Sequence, residues 1–138
     1  MKTKSHCPIN YALGHFGDRW SLLIVRDLMF NNKRHYNEFL ESREKISTSV
    51  LGARLKQLEQ TGIISKGKDT VKKSRIKYSL TKKGINMLPF MLDMVCWSGQ
   101  YDKESDVNDV FLSQITKERD LLIKSTREKL EKEHLLDF

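Results

Sequence analysis

The segment Ile46-Ser47-Thr48-Ser49-Val50-Leu51-Gly52-Ala53-Arg54-Leu55-Lys56-Gln57-Leu58-Glu59-Gln60-Thr61-Gly62 reads as a helix with both of its ends written into it. Ser47 is a good N-cap, Ile46 and Leu51 can close over it as a hydrophobic staple, and Gly62 supplies a left-handed residue to end the helix. At about 100° per residue, Leu51, Leu55 and Leu58 fall on one narrow stripe, while Ser49, Gly52, Ala53, Lys56, Gln57 and Gln60 fall on the other side. One face is core. The other is small, polar or basic, which lets a helix backbone approach a surface closely. Its Ser and Gln can hydrogen-bond base edges or phosphates, and its Ala can touch a thymine methyl. An ordinary solvent-facing helix also has a polar outer face, so the neighbouring segments decide between the two.

Before this helix, Pro8 suits a first helical position with Cys7 as its cap, and Ile9, Leu13 and Phe16 give that helix an apolar side before Gly17. Asp18 caps a second helix, from Arg19 to about Phe30, which Asn31-Asn32 stops. Tyr36, Phe39 and Leu40 form a short third helix after the basic run Lys33-Arg34-His35. Short helices joined by a brief turn, the later one polar outside, form a helix-turn-helix.

After Gly62 the period changes to that of strands. Ile63-Ile64-Ser65 and Arg75-Ile76-Lys77-Tyr78-Ser79-Leu80 read as two strands joined by the lysine-rich segment 66–74. A helix-turn-helix followed by a basic hairpin is a winged helix, with the hairpin as wing. Thr81 is expected to cap a further helix to about Trp97, kinked at Pro89. That helix is apolar almost all round and needs two surfaces to bury against, the second most simply a partner subunit. A polar link from Gly99 to Asp109 leads to a final amphipathic helix from about Val110 to Glu133. The fold expected is mainly α with a small β-hairpin: a winged helix-turn-helix DNA-binding domain over residues 1–104, with additional dimerisation helices and a C-terminal extension over 105–138.

Charge agrees with a nucleic-acid partner. The chain of 138 residues carries a formal net charge of +7. From Lys33 to Lys83 there are 14 Lys and Arg against 5 Asp and Glu, so the positive excess lies wholly in the segment that holds the expected reading helix and wing. A localised basic patch points to a polyanion. The longest aliphatic run near the front, Leu22-Leu23-Ile24-Val25, is far too short to span a bilayer, and no signal peptide precedes it. Two cysteines make no disulfide framework, so a cytoplasmic protein without a membrane partner is expected. His6, Cys7 and His15 lack a fourth donor at useful spacing, and neither a metal nor a cofactor is expected. No P-loop, Gly-x-Ser-x-Gly or zinc-protease motif marks an enzyme.

Taken together, Cys7-Pro8, Phe16-Gly17-Asp18-Arg19-Trp20, Leu22-Leu23-Ile24, Phe39-Leu40, Ile46-Ser47, Val50-Leu51, Arg54-Leu55, Leu58-Glu59, Gly62, Tyr78-Ser79-Leu80-Thr81, Gly84, Leu88-Pro89 and Trp97 resemble the HxlR-type regulators, a winged-helix family related to the MarR group. The resemblance covers roughly two thirds of the chain. It implies a homodimeric bacterial transcription factor on a palindromic double-stranded operator, usually a repressor, in some members responsive to oxidants or an electrophile inducer through the Cys-Pro cysteine. The wing departs from the family: prolines are frequent there, and this chain has Asp69-Thr70-Val71-Lys72-Lys73-Ser74.

For base readout the expected residues are Thr48, Ser49, Ala53, Lys56 and Gln57. Lys33, Arg34, His35, Ser47, Arg54, Lys72, Lys73 and Arg75 are expected at phosphates, although Arg54 equally suits a local carboxylate such as Glu38. Cys7 caps a helix with Lys2, Lys4 and His6 close by, where positive potential favours the thiolate; a buried structural cysteine is the other reading. Pro89, Leu92, Cys96, Trp97, Phe111, Ile115 and Leu122 are expected at a dimer interface. A winged helix that binds protein or RNA without an operator is the alternative function.

Overall fold

The computed structural model describes residues 5–135 and divides after Thr81 into two compact units. The first contains α1 (Pro8–Phe16), α2 (Arg19–Phe30), α3 (Tyr36–Leu40), α4 (Thr48–Gln60) and the antiparallel strands β1 (Ile64–Lys68) and β2 (Ile76–Leu80). This is the helix-turn-helix with a hairpin that the sequence led us to expect. Capping sets the helix starts. The Asp18 carboxylate accepts from the backbone N–H groups of Trp20 and Ser21, both at 2.9 Å, and Ser47 Oγ accepts from Val50 N at 3.3 Å. Each satisfies donors that the first helical turn leaves without partners. Gly62 has φ 80°, a conformation open to glycine at little cost, and it turns the chain from α4 into the hairpin.

Leu51, Leu55 and Leu58 on α4 are buried together with Ile24, Val25 and Leu28 of α2, and α2 also packs on β2. Burying a leucine contributes about 1.5–3 kcal/mol, so this stripe sets the orientation of α4. A buried carboxylate adds a polar tie. Asp27, 2% exposed, accepts from Arg26, from Asn31 Nδ2 at 2.8 Å and from Ser42 Oγ at 2.5 Å, joining the end of α2 to the segment between α3 and α4. Arg26 in turn forks onto Glu44, with bonds of 2.7 and 3.0 Å.

In register, Ile64 faces Leu80 and Lys68 faces Ile76. The first strand therefore runs further than Ser65: Lys66, Gly67 and Lys68 belong to the ladder, and the turn is confined to residues 69–75. Polar residues suit a ribbon whose distal half is solvated on both faces. The Thr81 hydroxyl bonds to the carbonyls of Gly62 and Ile63 at 2.5 and 3.0 Å. It closes the end of β2 on the turn after α4, and Thr81 stands immediately before the next helix, at the position where a cap was expected.

The second unit holds α5 (Lys82–Ile85), α6 (Leu88–Tyr101), α7 (Asp109–Lys117) and α8 (Arg119–His134). Two continuous helices expected here are each broken. Pro89 lies in the first turn of α6, where its missing N–H has no helical acceptor to lose, so it starts a helix instead of kinking one. Glu118, at φ −128° and ψ 37°, separates α7 from α8, next to Thr116, whose hydroxyl bonds back to Leu112 O and Ser113 O. Such back-bonding competes with the helical ladder. Within this unit α6 packs on α7 and α8.

Of the residues expected at a dimer interface, Leu92 and Ile115 are each 1% exposed within the single chain. Pro89, Cys96, Phe111 and Leu122 are half-buried. Trp97 is 67% exposed, and it shares one helical stripe of α6 with Phe90, Met94 and Tyr101, all exposed. On α1, two residues of the apolar side, Ile9 and Leu13, are 71% and 57% exposed. No helix among the described residues is long and apolar enough to cross a membrane.

Candidate nucleic-acid interface

The outward face of α4 is small and polar because its three leucines are turned inward. Ser47, Thr48, Ser49, Gly52, Ala53 and Lys56 are exposed, and Gln57 is half-buried. Tyr36 on α3 fixes the first turn of α4 by donating its hydroxyl to Thr48 O at 2.9 Å. Ser47 serves mainly as the cap. An open groove of about 380 Å³, lined by Asp18, Trp20, Ser49, Val50, Ala53 and Arg54, runs along one flank of this face. On the other flank a groove of about 430 Å³ separates α4 from the hairpin, lined by Gly52, Lys56, Gln60, Lys66 and Tyr78 among others. The helix therefore stands clear of its surroundings along both sides.

Several basic residues expected at phosphates are engaged within the protein. Arg34 is 8% exposed: its Nε donates to Tyr78 O at 2.7 Å and its Nη2 to Ser79 Oγ at 2.5 Å, while Arg34 O accepts from Tyr78 N. It is a brace between the α3 end and β2, which removes its guanidinium from the exposed face. Lys33 donates to Ser42 Oγ at 2.8 Å and lies 3.9 Å from Asp27. Arg54 pairs with Asp18 at 3.5 Å, a carboxylate partner as the sequence allowed, but not Glu38. His35 and Arg75 both contact Asp69. Lys56, Lys72 and Lys73 remain exposed, with no ion pair among the described residues.

The residue that sequence reasoning missed is Asp69, a carboxylate in the middle of the basic segment. It is 4% exposed and organises the wing turn. Its Oδ1 accepts from Val71 N at 2.8 Å and from Lys72 N at 3.3 Å, and its Oδ2 accepts from Arg75 Nη2 at 2.7 Å and from His35 Nε2 at 2.6 Å. The Val71 bond first, with the Arg75 and His35 contacts, holds its carboxyl well below the usual range. The signal was an Asp two residues before the turn apex, the spacing of an Asx-turn. For Asp18, partial burial works to raise the pKa, but bonds from Ser21 and Trp20 outweigh it and the carboxyl is lowered. Glu44 is pulled down to about 2 by the Arg26 guanidinium.

The sequence matches the HxlR-like helix-turn-helix family over residues 15–106, which spans α2 to α6. The chain belongs to the HxlR-like helix-turn-helix family. It is accordingly a DNA-binding transcriptional regulator of winged-helix architecture. Its HxlR-type relatives include the HTH-type regulator sll1512 of Synechocystis, 34% identical over 68% of this chain and 69% of that protein. YodB of Bacillus subtilis is 33% identical over 72% of this chain and 89% of its own. The crystal structure of reduced YodB superposes with a TM-score of 0.59 at 30% identity, covering 74% of this chain and all of that one; YodB is also known in quinone-bound and diamide-treated forms. The redox regulator HypR in its oxidised form gives a TM-score of 0.61 at 27% identity, over 73% of this chain and all of that one.

Cys7, which precedes the residues matched to the family, lies immediately before α1. Its backbone is extended, its side chain makes no cap bond, and the residue is exposed. Lys2 and Lys4, expected beside it, lie outside the described residues; His6 is exposed.

Proposed function

We propose that this regulator works as a cytoplasmic homodimer on a palindromic operator, most simply as a repressor. Thr48, Ser49, Ala53, Lys56 and Gln57 of α4 read base edges in the major groove, and Lys72 and Lys73 rest on the flanking backbone. The observation that carries the reading is the face of α4: short polar side chains, Gly52 and Ala53 stand exposed over a leucine stripe that is buried to within 3%. A backbone so thinly covered can approach a groove floor, and a hydrogen bond there discriminates between bases by about 1–3 kcal/mol. The exposed stripe Phe90, Met94, Trp97 and Tyr101 on α6 supports a dimer, since an apolar helix stripe in a regulator of this size is most simply covered by a second copy.

Cys7 is the thiol through which oxidants or an electrophile inducer would release the operator. Its exposure makes it reachable, and the relatives whose structures are described as redox, quinone-bound or diamide-treated motivate the assignment. The test is selection of bound fragments from the source genome, followed by competition with duplex and single-stranded nucleic acid. Duplex-specific, palindromic sites support the reading; equal competition by single strands or RNA overturns it. For the thiol, diamide or quinone is expected to release wild type and Cys96→Ser but not Cys7→Ser. Release of Cys7→Ser to the same extent would sink the sensor assignment.

A further inference from the structure

His35 lies between two carboxylates. Its Nδ1 is 2.7 Å from Glu38 Oε1 and its Nε2 is 2.6 Å from Asp69 Oδ2. An ionised carboxylate only accepts hydrogen bonds, and a neutral imidazole offers a single N–H. Both contacts are therefore hydrogen bonds only when His35 carries two protons and a positive charge. The carboxylates stay ionised. Glu38 also accepts from Arg34 N and His35 N, both at 2.9 Å, and these bonds outweigh the effect of its burial and lower its pKa. Asp69 is held by Val71 N, Lys72 N and the Arg75 guanidinium. The charged and titratable groups around the ring are thus Glu38 on α3 and, from the wing, Asp69 with Arg75 behind it.

The position matters more than the charge. His35 is the N-cap of α3, inside the helix-turn-helix, and Asp69 is the residue that shapes the wing turn. Residues 70–73 beyond it are exposed, with Val71 at 89%. A two-stranded ribbon is marginally stable by itself, so its tip needs an anchor. We infer that His35 is a positioning residue for operator binding: as an imidazolium it clamps the wing tip to the helix-turn-helix through Asp69, and the wing's hold on DNA loosens when that proton leaves. DNA reinforces the effect, because a phosphate backbone beside the clamp favours the charged ring. The inference rests on the operator reading above.

The test measures Kd for a selected operator duplex from pH 5.5 to 8.5 at constant ionic strength, using the full chain. Wild type is expected to bind more weakly as pH rises, by up to about tenfold per protomer across this range. His35→Gln keeps a polar side chain without a titrating charge, and the difference between its profile and that of wild type isolates His35 from His6, His15 and His134. A His35→Gln profile parallel to wild type overturns the clamp. Ring NMR of the free wild-type chain and of Asp69→Asn decides the matter without DNA, and does so even if His35→Gln fails to fold. The Asn oxygen can keep the Val71 and Lys72 bonds but removes the charge, so the His35 ring should lose its second proton at a lower pH than in wild type. Equal titration midpoints, or a singly protonated ring at pH 6, refute the inference. If no duplex binds at any pH the operator reading fails, while the ring spectra still report on the clamp.

Discussion

The salt dependence of operator binding separates the interface that the sequence suggests from the one that the structure leaves free. Eight basic side chains were expected at DNA: Lys33, Arg34, His35, Arg54, Lys56, Lys72, Lys73 and Arg75. If all of them neutralised phosphates in both protomers of a dimer, the slope of log K against log salt would be about −14, at roughly 0.9 per phosphate. In the structure, Lys33, Arg34, His35, Arg54 and Arg75 already have protein partners. Transferring a paired cation to a phosphate breaks one charge contact to form another, so it gains little. Lys56, Lys72 and Lys73 remain; the four wing lysines of a dimer give a slope of about −4, or about −5 if Lys56 at the base edges also displaces counterions. Fluorescence anisotropy of a labelled operator between low and moderate NaCl measures it directly. Lys72→Ala with Lys73→Ala should flatten the slope by about 3 to 4 and weaken all sequences nearly equally, since backbone contacts do not read bases. A wild-type slope steeper than about −10 would mean that the internal pairs open on DNA, and a slope near zero would remove the electrostatic basis of binding altogether.

Two further outcomes concern the scaffold. Asp18→Ala removes the α2 cap, worth about 1 kcal/mol, and leaves the hydroxyl of the fully buried Ser21, now bonded to Asp18 at 2.6 Å, without its acceptor. An orphaned buried hydroxyl costs about 1–3 kcal/mol, so urea denaturation should show a loss of about 2–4 kcal/mol, and a loss under about 0.5 kcal/mol would contradict this account. The second is acid sensitivity. Asp18, Glu38 and Glu44 have folded-state pKa values below their ordinary ones, Glu44 at about 2, so the unfolded chain takes up their protons first. Their contribution is complete above the ordinary carboxylate range and is lost as pH falls through about 4 toward 2. Urea midpoints should be level near neutrality and decline across that window, with Arg26→Gln reducing the Glu44 share; an equal midpoint at pH 2.5 and pH 6 would rule the ion pairs out as contributors.

Much of the winged helix was legible because its signals are local. Asp18, Ser47 and Gly62 mark ends through their own backbone chemistry, and the spacing of Leu51, Leu55 and Leu58 defines a buried stripe without knowledge of what lies opposite. The same reasoning failed at Pro89, because whether a proline kinks a helix or begins one depends on where the chain folds back. At Leu92 and Ile115 composition shows that a residue must be buried but not by which surface.

The sequence by itself determined the reading helix, its polar face, the hairpin and the concentration of positive charge around them, since periodicity, capping and composition act over a few residues. Only the tertiary structure decided which of those charges are available. Arg34 and Tyr78 are 44 residues apart, and His35 and Asp69 are 34 apart. Hydrogen bonds over such separations form only after α3 and the hairpin have packed against the same core, and they turn expected DNA contacts into the braces that hold the wing in place.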